Sequence, residues 1–344
     1  MSRGLKIWLP AIRAGSGADI FVRRLAIGLE RAGHEPIVQW LPHHYELTPW
    51  RFRSIAAPEG ADVVHANSWQ GFAFKRRGLP LVVTEHQYVA HPEFAPYKTI
   101  AQSVYHRFFC ERWIRHSYDV ADAITSVSES SAIVMRRDTA KDIHVVHNWI
   151  DANQFHPAGG NESGAAGVRS AHRPFRLLFV GNPSRRKGAD LLPEIATRLG
   201  PSFELYCLGG LRGGFDKKKR PANIRLLPPQ APDAMPSIYH QVDAVLVPTR
   251  YEPFGYVALE AMACGLPVIG FASTGTAEIC LNGDTALLSP LNDLETLIDN
   301  ALQIQADRVL RARLGIAGRK RAIEDFSEVR AITSYVHIYR ALKG

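Results

Sequence analysis

The stretch Pro248–Gly270, PTRYEPFGYVALEAMACGLPVIG, decides how this chain is expected to fold. It begins where an apolar run ends, passes through a polar loop that contains Gly255, and continues as a mostly apolar segment of helical length. A second apolar run follows from Pro267. Short apolar runs that alternate with helical segments predict parallel strands joined by crossover helices. The stretch therefore predicts one strand–helix–strand unit of a doubly wound α/β domain.

The same alternation extends over most of the 344 residues and predicts two Rossmann-like α/β domains. Strands are predicted at Leu5–Leu9, Pro36–Leu41, Asp62–His65, Leu81–Thr84, Ala123–Val127, His144–His147, Arg176–Val180, Phe203–Leu208, Asn223–Leu227, Asp243–Val247 and Pro267–Gly270. Helices are predicted at Ala18–Gly33, Lys98–His116, Glu129–Arg137, Lys187–Leu199, Tyr256–Cys264, Asp293–Gln305, Asp307–Asp325 and Ser327–Leu342.

One segment interrupts this alternation. Residues 156–174 are rich in Gly, Ser and Ala and have no apolar period, which is typical of an exposed linker. We therefore expect an N-terminal domain over 1–155, a C-terminal domain over 175–325, and a helix over 326–344 that crosses back to the first domain. Ligands of open α/β sheets bind at the carboxyl ends of the strands. A cleft between the two domains is the expected binding site.

The formal net charge of +8 favours an anionic partner such as a phospholipid surface or a nucleotide diphosphate. Nucleic acid is excluded as a partner because no helix-turn-helix, zinc-finger or RNA-recognition pattern accompanies the basic clusters. The four cysteines are far apart, which predicts reduced core thiols without a disulfide or a zinc site. Apolar runs are too short to span a bilayer. A soluble cytoplasmic protein is expected, with a location at the inner face of the cytoplasmic membrane left open.

Two carboxylates stand out in the deciding stretch. Glu260 is the only charge in an otherwise apolar helix, where an unpaired ionised carboxylate is costly. It must face either ligand hydroxyls or an Arg or Lys. Glu252 lies in the loop before that helix, whose N-terminal N–H groups around Phe254 and Gly255 form a ready site for a diphosphate. A solvated loop carboxylate is the plainer interpretation of Glu252.

The run EPFGYVALEAMACGLPVI, with seven residues between its two glutamates, resembles the signature of retaining GT-B glycosyltransferases of family 4, and the downstream STGTAEI fits the same pattern. This resemblance implies the GT-B architecture. It also implies a transfer reaction that requires neither a metal ion nor a cofactor. It implies that Glu260 binds the ribose of the donor and that Glu252, at the catalytic centre, binds the hydroxyls of the donor sugar. It also implies backbone contacts to the diphosphate from Phe254, Gly255 and Tyr256.

The segment LLFVGNPSRRKGADLL, Leu177–Leu192, resembles the strand, loop and helix that supply positive charge to the diphosphate in this family. Lys187 aligns with the family's lysine and is expected to act in catalysis. The family usually places an arginine where this chain has Asn182. Arg185 or Arg186 is expected to substitute for it, and the sequence does not decide between them. A solvated helix start is the alternative for these basic residues.

Two further segments resemble donor-side motifs of the first domain. Gly15, Ser16 and Gly17 resemble the glycine-rich loop that closes over the donor phosphate. A lone Gly-x-Gly is a weak signal. His86, in LVVTEHQY, stands where the family places a histidine beside the donor sugar, and we assign it a catalytic role by that resemblance. Without the resemblance, a lone histidine is more often a packing residue.

The segment Tyr105–Tyr118 mixes aromatic residues with three arginines, Arg107, Arg112 and Arg115. A membrane-surface helix and a core helix with one basic face both fit this pattern, and we favour the core helix. Peripheral contact with an anionic membrane therefore stays open as a partner interaction.

Taken together, the residues and the resemblance predict a retaining transferase that passes a sugar from a nucleotide diphosphate to the hydroxyl of a glycan or lipid-linked acceptor. By analogy the pathway is bacterial envelope polysaccharide or lipopolysaccharide assembly. A glycoside hydrolase is disfavoured because Glu252 and Glu260 belong to one loop–helix unit and would not flank a scissile bond. A non-catalytic nucleotide-sugar-binding protein and a GT-B-fold sugar epimerase are the remaining alternatives. The nucleotide base, the sugar and the acceptor stay undetermined.

Overall fold

The computed structural model describes residues 3–13, 17–160, 173–209 and 220–344. Gly15 and Ser16, most of the predicted linker and the basic run 217–219 lie outside these residues. The chain divides into two units, unit 1 with residues 1–149 and 328–344, and unit 2 with residues 150–327. Each unit contains one six-stranded sheet in which every described strand pair is parallel. The predicted fold class, two doubly wound α/β sheets, is confirmed.

The sheet of unit 1 has the strand order β2-β1-β3-β4-β5-β6. The chain runs from β1 to one neighbour, β2, and then returns to place β3 on the other side of β1, so the strand order reverses between β1 and β3. The elements are β1 Lys6–Ile12, α1 Gly17–Arg31, β2 Glu35–Leu41, β3 Val63–Asn67, β4 Leu81–Glu85, α2 Ile100–Tyr105, α3 Glu111–Val120, β5 Ala123–Ser126, α4 Glu129–Met135 and β6 Ile143–Val145. Short 3₁₀ helices lie at His43–Leu47, Pro49–Ser54, Gly71–Phe74 and Pro92–Tyr97.

The sheet of unit 2 has the order β12-β11-β10-β7-β8-β9, with its reversal between β7 and β10. Its elements are β7 Phe175–Val180, α5 Leu192–Leu199, β8 Phe203–Leu208, β9 Ile224–Leu227, α6 Met235–Tyr239, β10 Ala244–Val247, α7 Tyr256–Ala263, β11 Val268–Phe271, α8 Thr274–Ile279, β12 Ala286–Ser289, α9 Leu294–Ala306 and α10 Arg308–Asp325. Further 3₁₀ turns lie at Arg185–Lys187, Gly200–Ser202 and Pro232–Ala234. The last helix, α11 Glu328–Ala341, belongs to unit 1.

Helix α11 is built into unit 1 by buried contacts. Gly28 of α1 allows the Ile332 side chain to approach so closely that a Cβ at Gly28 would lie 2.6 Å from it. Tyr339 is fully buried, and its hydroxyl lies 2.6 Å from Nδ1 of His65 on β3. The four cysteines are buried and unpaired, as predicted for core thiols.

The helix predicted at Lys187–Leu199 is wrong in its first turn. Lys187 belongs to the 3₁₀ turn, which Gly188 ends in the left-handed conformation at φ +75°, and α5 begins only at Leu192. A Cβ at Gly188 would lie 2.1 Å from the carbonyl oxygen of Pro248, so this position requires glycine for its close approach as well. Tertiary packing against the chain after β10 therefore overrides the local helical pattern.

The helical segment predicted at Lys98–His116 is composite. Helix α2 buries none of its residues, a π-helical turn over His106–Cys110 follows, and α3 then buries Ile114 and Tyr118. The favoured interpretation of Tyr105–Tyr118 as a core helix therefore holds for α3, whereas Phe108 and Phe109, ahead of α3, are each 50% exposed. Among the described residues, no helix is both long and apolar enough to cross a bilayer.

Candidate functional site

The predicted residues of unit 2 gather where its strand order reverses. Strands β7 and β10 are neighbours, with Leu178 in register with Val245. The chain after β7 carries the basic turn Arg185–Lys187, and the chain after β10 carries Glu252. A reversal of strand order leaves a crevice at the carboxyl ends of the two strands, which is where α/β sheets bind ligands. The topology alone therefore places the basic turn beside the glutamate.

An arginine that the sequence analysis did not single out fastens these two segments together. Arg250 is 8% exposed, and its guanidinium donates to both carboxylate oxygens of Asp190, at 2.7 and 2.9 Å. It also donates to Oδ1 of Asn292 at 2.6 Å, and its backbone N–H donates to the carbonyl of Arg186 at 2.8 Å. A bidentate guanidinium–carboxylate pair fixes geometry as well as charge. Arg250 thus holds the basic turn in place.

Lys187 and Glu252 form an ion pair in which the two side chains are only 15% and 14% exposed. Burial acts to raise the pKa of Glu252, but the Lys187 ammonium and the Arg186 guanidinium outweigh it and hold the pKa below its usual value. The carboxylate is therefore ionised at neutral pH and is paired with cations of the basic turn.

The two candidate arginines differ in their surroundings. Arg186 is half-buried and donates to the carbonyl of Tyr251 at 3.1 Å, next to Glu252. The Arg185 side chain is exposed, while its carbonyl accepts a hydrogen bond from Arg250. The structure therefore brings Arg186, rather than Arg185, to the glutamate.

Residues of α8 hydrogen-bond to the backbone of the loop that carries Glu252. The Thr274 hydroxyl accepts from the Glu252 N–H at 2.9 Å and donates to the Glu252 carbonyl at 2.7 Å. Gly275 donates to the same carbonyl at 2.8 Å, and a Cβ at Gly275 would lie 2.5 Å from the carbonyl oxygen of Phe254. The STGTAEI segment thus serves to hold the glutamate loop at close backbone contact.

Helix α7 begins directly after this loop. Gly255 precedes it with φ at +111°, a left-handed conformation that favours glycine, and no side chain among the described residues caps its first turn. The Phe254 ring is buried and packs edge-on against Tyr256, with ring centroids 5.2 Å apart. The N-terminal N–H groups of α7 therefore begin at the same loop as Glu252.

Glu260 lies one turn further along α7. It is half-buried and accepts a hydrogen bond of 2.8 Å from the hydroxyl of Tyr239. The apolar sequence of α7 predicts a helix buried on all sides, but Tyr256, Val257 and Glu260 share a less buried face. That face gives the carboxylate access to solvent or to a ligand.

The predicted residues of unit 1 that the structure describes lie at the start of α1 and directly after β4. Gly17 is the first residue of α1, and no described atom lies within 4 Å of a Cβ placed there. His86 directly follows β4, and its ring centroid lies 4.4 Å from that of Phe21 on α1. Burial lowers the pKa of His86 to about 4, so the imidazole is neutral at pH 7.

A second buried carboxylate lies beside His86, and sequence analysis did not find it. Glu85 is the last residue of β4 and is fully buried. It accepts hydrogen bonds from the Ser68 hydroxyl at 2.8 Å, the Tyr118 hydroxyl at 3.0 Å and the Gln87 N–H at 3.0 Å. Burial raises the pKa of Glu85 to about 7, although these hydrogen bonds act to lower it.

Comparison with known proteins gives consistent matches over both units. A family model described as Glycosyl transferases group 1 matches residues 166–321, and one described as Glycosyltransferase Family 4 matches residues 37–154. The alpha-maltose-1-phosphate synthase of Mycolicibacterium smegmatis is 30% identical over 321 residues, which cover 83% of this chain and 80% of that protein.

Two solved structures are similar in fold. Sucrose-phosphate synthase from Thermosynechococcus elongatus gives a TM-score of 0.82 at 21% identity and covers 98% of this chain and 99% of its own. Anabaena HepE in complex with UDP and glucose gives a TM-score of 0.75 at 17% identity and covers 97% of this chain and 99% of its own. These likenesses agree with the GT-B fold class.

Proposed function

Because the chain belongs to the group 1 glycosyltransferases of family 4, we propose that it transfers a sugar from a nucleotide diphosphate to an acceptor hydroxyl with retention of configuration and without a metal ion. The observation that carries this proposal is the cluster at the reversal of the unit 2 sheet. There the Lys187–Glu252 ion pair, Arg186 and the start of α7 meet in one place.

The cations of this cluster suit a departing diphosphate. Lys187 and Arg186 supply fixed positive charge, and the N–H groups around Phe254, Gly255 and Tyr256 supply donors at the end of a helix. Without donor, Glu252 balances the charge of Lys187. With donor bound, the diphosphate takes over part of that pairing, which leaves the Glu252 carboxylate to accept hydrogen bonds from sugar hydroxyls.

Glu260 is proposed to bind the ribose of the donor. Its carboxylate accepts a hydrogen bond from the Tyr239 hydroxyl and lies on the less buried face of α7. A carboxylate offers several acceptor sites, which suits the two vicinal hydroxyls of a ribose. HepE was solved with UDP and glucose. A uridine diphosphate sugar is therefore the first donor to test.

Transfer with retention needs no covalent intermediate on the protein in this proposal. The bond between the anomeric carbon and the diphosphate oxygen breaks, and the acceptor oxygen bonds to the same face of that carbon. The acceptor's proton passes to the departing phosphate oxygen. Positioning and electrostatic stabilisation are the protein's contributions. His86, neutral at pH 7, is proposed to donate a hydrogen bond to the donor sugar, and Gly17 to leave room for the donor phosphate.

The acceptor is proposed to be a glycan or a lipid-linked molecule, and an exposed surface of unit 1 supports the second. Four large apolar residues on and after α2 face solvent, with exposures of 86% for Ile100 and 50% each for Val104, Phe108 and Phe109. Helix α2 buries none of its residues. Aliphatic and aromatic side chains in an exposed helical segment are typical of helices that lie in a membrane interface.

Three exposed arginines lie within or shortly after this apolar segment of the chain. Arg107, Arg112 and Arg115 are exposed, whereas the nearby Glu111 side chain is 20% exposed and lies 3.7 Å from Arg115. The charge therefore complements a bilayer that contains anionic lipid. We propose that this surface contacts the inner face of the cytoplasmic membrane, where envelope polysaccharide or lipopolysaccharide precursors are assembled.

Sedimentation with vesicles tests the membrane contact. The protein should bind vesicles that contain phosphatidylglycerol and not pure phosphatidylcholine vesicles. The double variant Phe108→Ser/Phe109→Ser should bind at least about tenfold more weakly, since it removes two exposed aromatic anchors. Ile133→Ser, which removes an exposed apolar residue from α4, is the matched control. Equal binding of the double variant and the wild type would contradict the proposed surface.

Nucleotide release tests the transferase activity. Free nucleotide should accumulate from the right donor only when acceptor is present, and the nucleotide should raise the melting temperature. Glu260→Ala should weaken donor binding about tenfold or more, whereas Glu252→Ala should mainly slow transfer. Binding without turnover would indicate a non-catalytic binding protein, and release without acceptor would indicate an epimerase. Unchanged donor binding in Glu260→Ala would refute the role of that residue.

A further inference from the structure

We propose that Glu85 is a positioning residue that fixes two loops at the ligand edge of the unit 1 sheet and thereby orients His86. This inference rests on the proposed function, because it assigns the loops a part in sugar transfer. Glu85 is fully buried, so it does not contact the solvent-facing surface of either loop. Its effect must therefore pass through its hydrogen-bond partners.

The two loops follow neighbouring strands. Asn67, the last residue of β3, is in register with Thr84, and Glu85 is in register with Ser126, so β3, β4 and β5 end at one edge. The chain after β3 leads to Trp69, and the chain after β4 leads to His86. Ligands of parallel sheets bind at the carboxyl ends of the strands, next to the point where the strand order reverses, which here lies between β1 and β3.

Glu85 ties these loops together from beneath. Ser68, in the loop after β3, donates to Oε2 of Glu85, and Gln87, in the turn after β4, donates its N–H to Oε1. Tyr118 anchors the same Oε2 to α3. One carboxylate therefore sets the spacing of both loops relative to the helix behind them.

Half-buried side chains with carbohydrate-binding chemistry stand on these loops. Trp69 offers an indole face, and Asn67 and Gln87 offer amides. The Trp69 N–H donates to the Asn67 side chain at 2.9 Å, which fixes the start of the loop. Together with His86 they form an edge suited to a hydroxylated ring, which is the chemistry of a sugar substrate.

Stability alone does not explain a carboxylate in this place. Among the described residues, no lysine or arginine pairs with Glu85, and every hydrogen-bond partner is a neutral donor. The ionisable groups that interact electrostatically with Glu85 are Tyr88, Tyr118 and Cys110. Asp138 accepts a hydrogen bond from the Tyr88 hydroxyl and lies 3.7 Å from Arg115. An apolar side chain would avoid the cost of burying this charge. The hydrogen bonds from these donors are the specific gain that the carboxylate provides.

Steady-state kinetics with separate binding measurements tests the proposal. Glu85→Leu should lower kcat about 10- to 100-fold, since a misplacement of about 1 Å costs on that order. The Kd for free nucleotide diphosphate, measured by calorimetry, should stay within about twofold, because the diphosphate cluster lies in unit 2. Glu85→Gln, which keeps the shape and most hydrogen bonds, should restore much of kcat.

A pH profile adds a readout that a purely structural role would not move. In the wild type, kcat should rise as Glu85 ionises, because the ionised form accepts all of these hydrogen bonds; Glu85→Gln should lose that rise. If Glu85→Leu does not fold, Ser68→Ala removes one donor and should lower kcat in the same direction by a smaller factor. An active wild type with unchanged kcat in these variants would overturn the positioning role. An inactive wild type that still binds nucleotide would instead refute the proposed transfer.

Discussion

Units 1 and 2 each hold a glutamate at or shortly after the end of a parallel strand, and the pKa values of the two carboxylates are shifted in opposite directions. The pKa of Glu85 is raised to about 7 by burial, whereas the pKa of Glu252 lies below its usual value even though burial acts on it in the same way. Hydrogen bonds do not account for this difference, because Glu85 accepts them from Ser68, Tyr118, Gln87 and the Trp69 side chain, and all of them act to lower its pKa. The cations Lys187 and Arg186 account for it.

This difference separates two uses of a buried acid. Glu252 is balanced by cationic side chains that an anionic ligand could also pair with, so we expect its pairing to be exchangeable. Glu85 is held by neutral donors from separate segments of unit 1, so its surroundings are fixed. These donors only partly offset the cost of burying its negative charge, and its pKa is therefore near 7. A cluster of the first kind suits substrate binding, and one of the second kind suits the positioning of loops.

Removing the lysine should make Glu252 resemble Glu85, and this is the largest effect we expect. Lys187→Met deprives the site of its main cation, so kcat/KM should fall about 100- to 1,000-fold through lost stabilisation of the leaving diphosphate. The pKa of Glu252 should rise, which carbon-13 NMR of labelled glutamate measures. Arg198→Met breaks an exposed ion pair with Glu295 in the same unit and is the control. A kcat/KM within about threefold of the wild type would remove Lys187 from the mechanism.

The second prediction concerns stability and pH at Glu85. Its folded pKa of about 7 lies above the ordinary glutamate value of about 4.5, so the folded state binds this proton more tightly than the unfolded chain. The stabilisation is fully present below pH 4.5 and is lost as pH rises through 7. At about 1.4 kcal/mol per pKa unit, the loss is about 3 kcal/mol.

Chemical denaturation of the wild type and Glu85→Gln between pH 5 and pH 8, a range chosen to span roughly that titration, measures this loss. The difference between the two free energies of unfolding should change by an amount of this order, since the amide does not ionise. A constant difference across that range would show that Glu85 lacks the raised pKa. The comparison with Glu252 would then lose its basis.

Local sequence patterns predicted most of the helices and strands. They failed where contacts with residues far away in the sequence determine the local structure. The strand β12, Ala286–Ser289, was missed because its apolar run is only the three residues Ala286–Leu288, with polar residues on both sides. Lys187 was assigned to a helix because the Pro248 carbonyl that requires Gly188 lies some sixty residues further along the chain. Element type follows from apolar periodicity, whereas these endings depend on tertiary contacts.

The candidate site divides in the same way. Glu260 was visible because a solitary acid in an apolar helix violates the local pattern, and Glu252 and Lys187 were visible through the resemblance. No local pattern singles out Glu85, since its partners Ser68 and Tyr118 are 17 and 33 residues away. No local pattern singles out Arg250 either, since Asp190 is 60 residues away.

Arg250 provides the smallest of the expected effects and sharpens the comparison, because it moves the cations beside Glu252 without removing them. Arg250→Lys keeps the charge but cannot reproduce the bidentate contact with Asp190 or the bond to Asn292. The turn that carries Lys187 should loosen, so kcat/KM should fall about tenfold while unit 2 loses about 1–2 kcal/mol of stability. Kinetics and thermal unfolding measure the two effects. Arg225→Lys, at a more exposed pair with Glu204, is the matched control and should change neither appreciably. If Arg250→Lys destabilises the protein yet leaves kcat/KM unchanged, the position of the basic turn does not limit transfer, and the contrast between the two glutamates rests on charge alone.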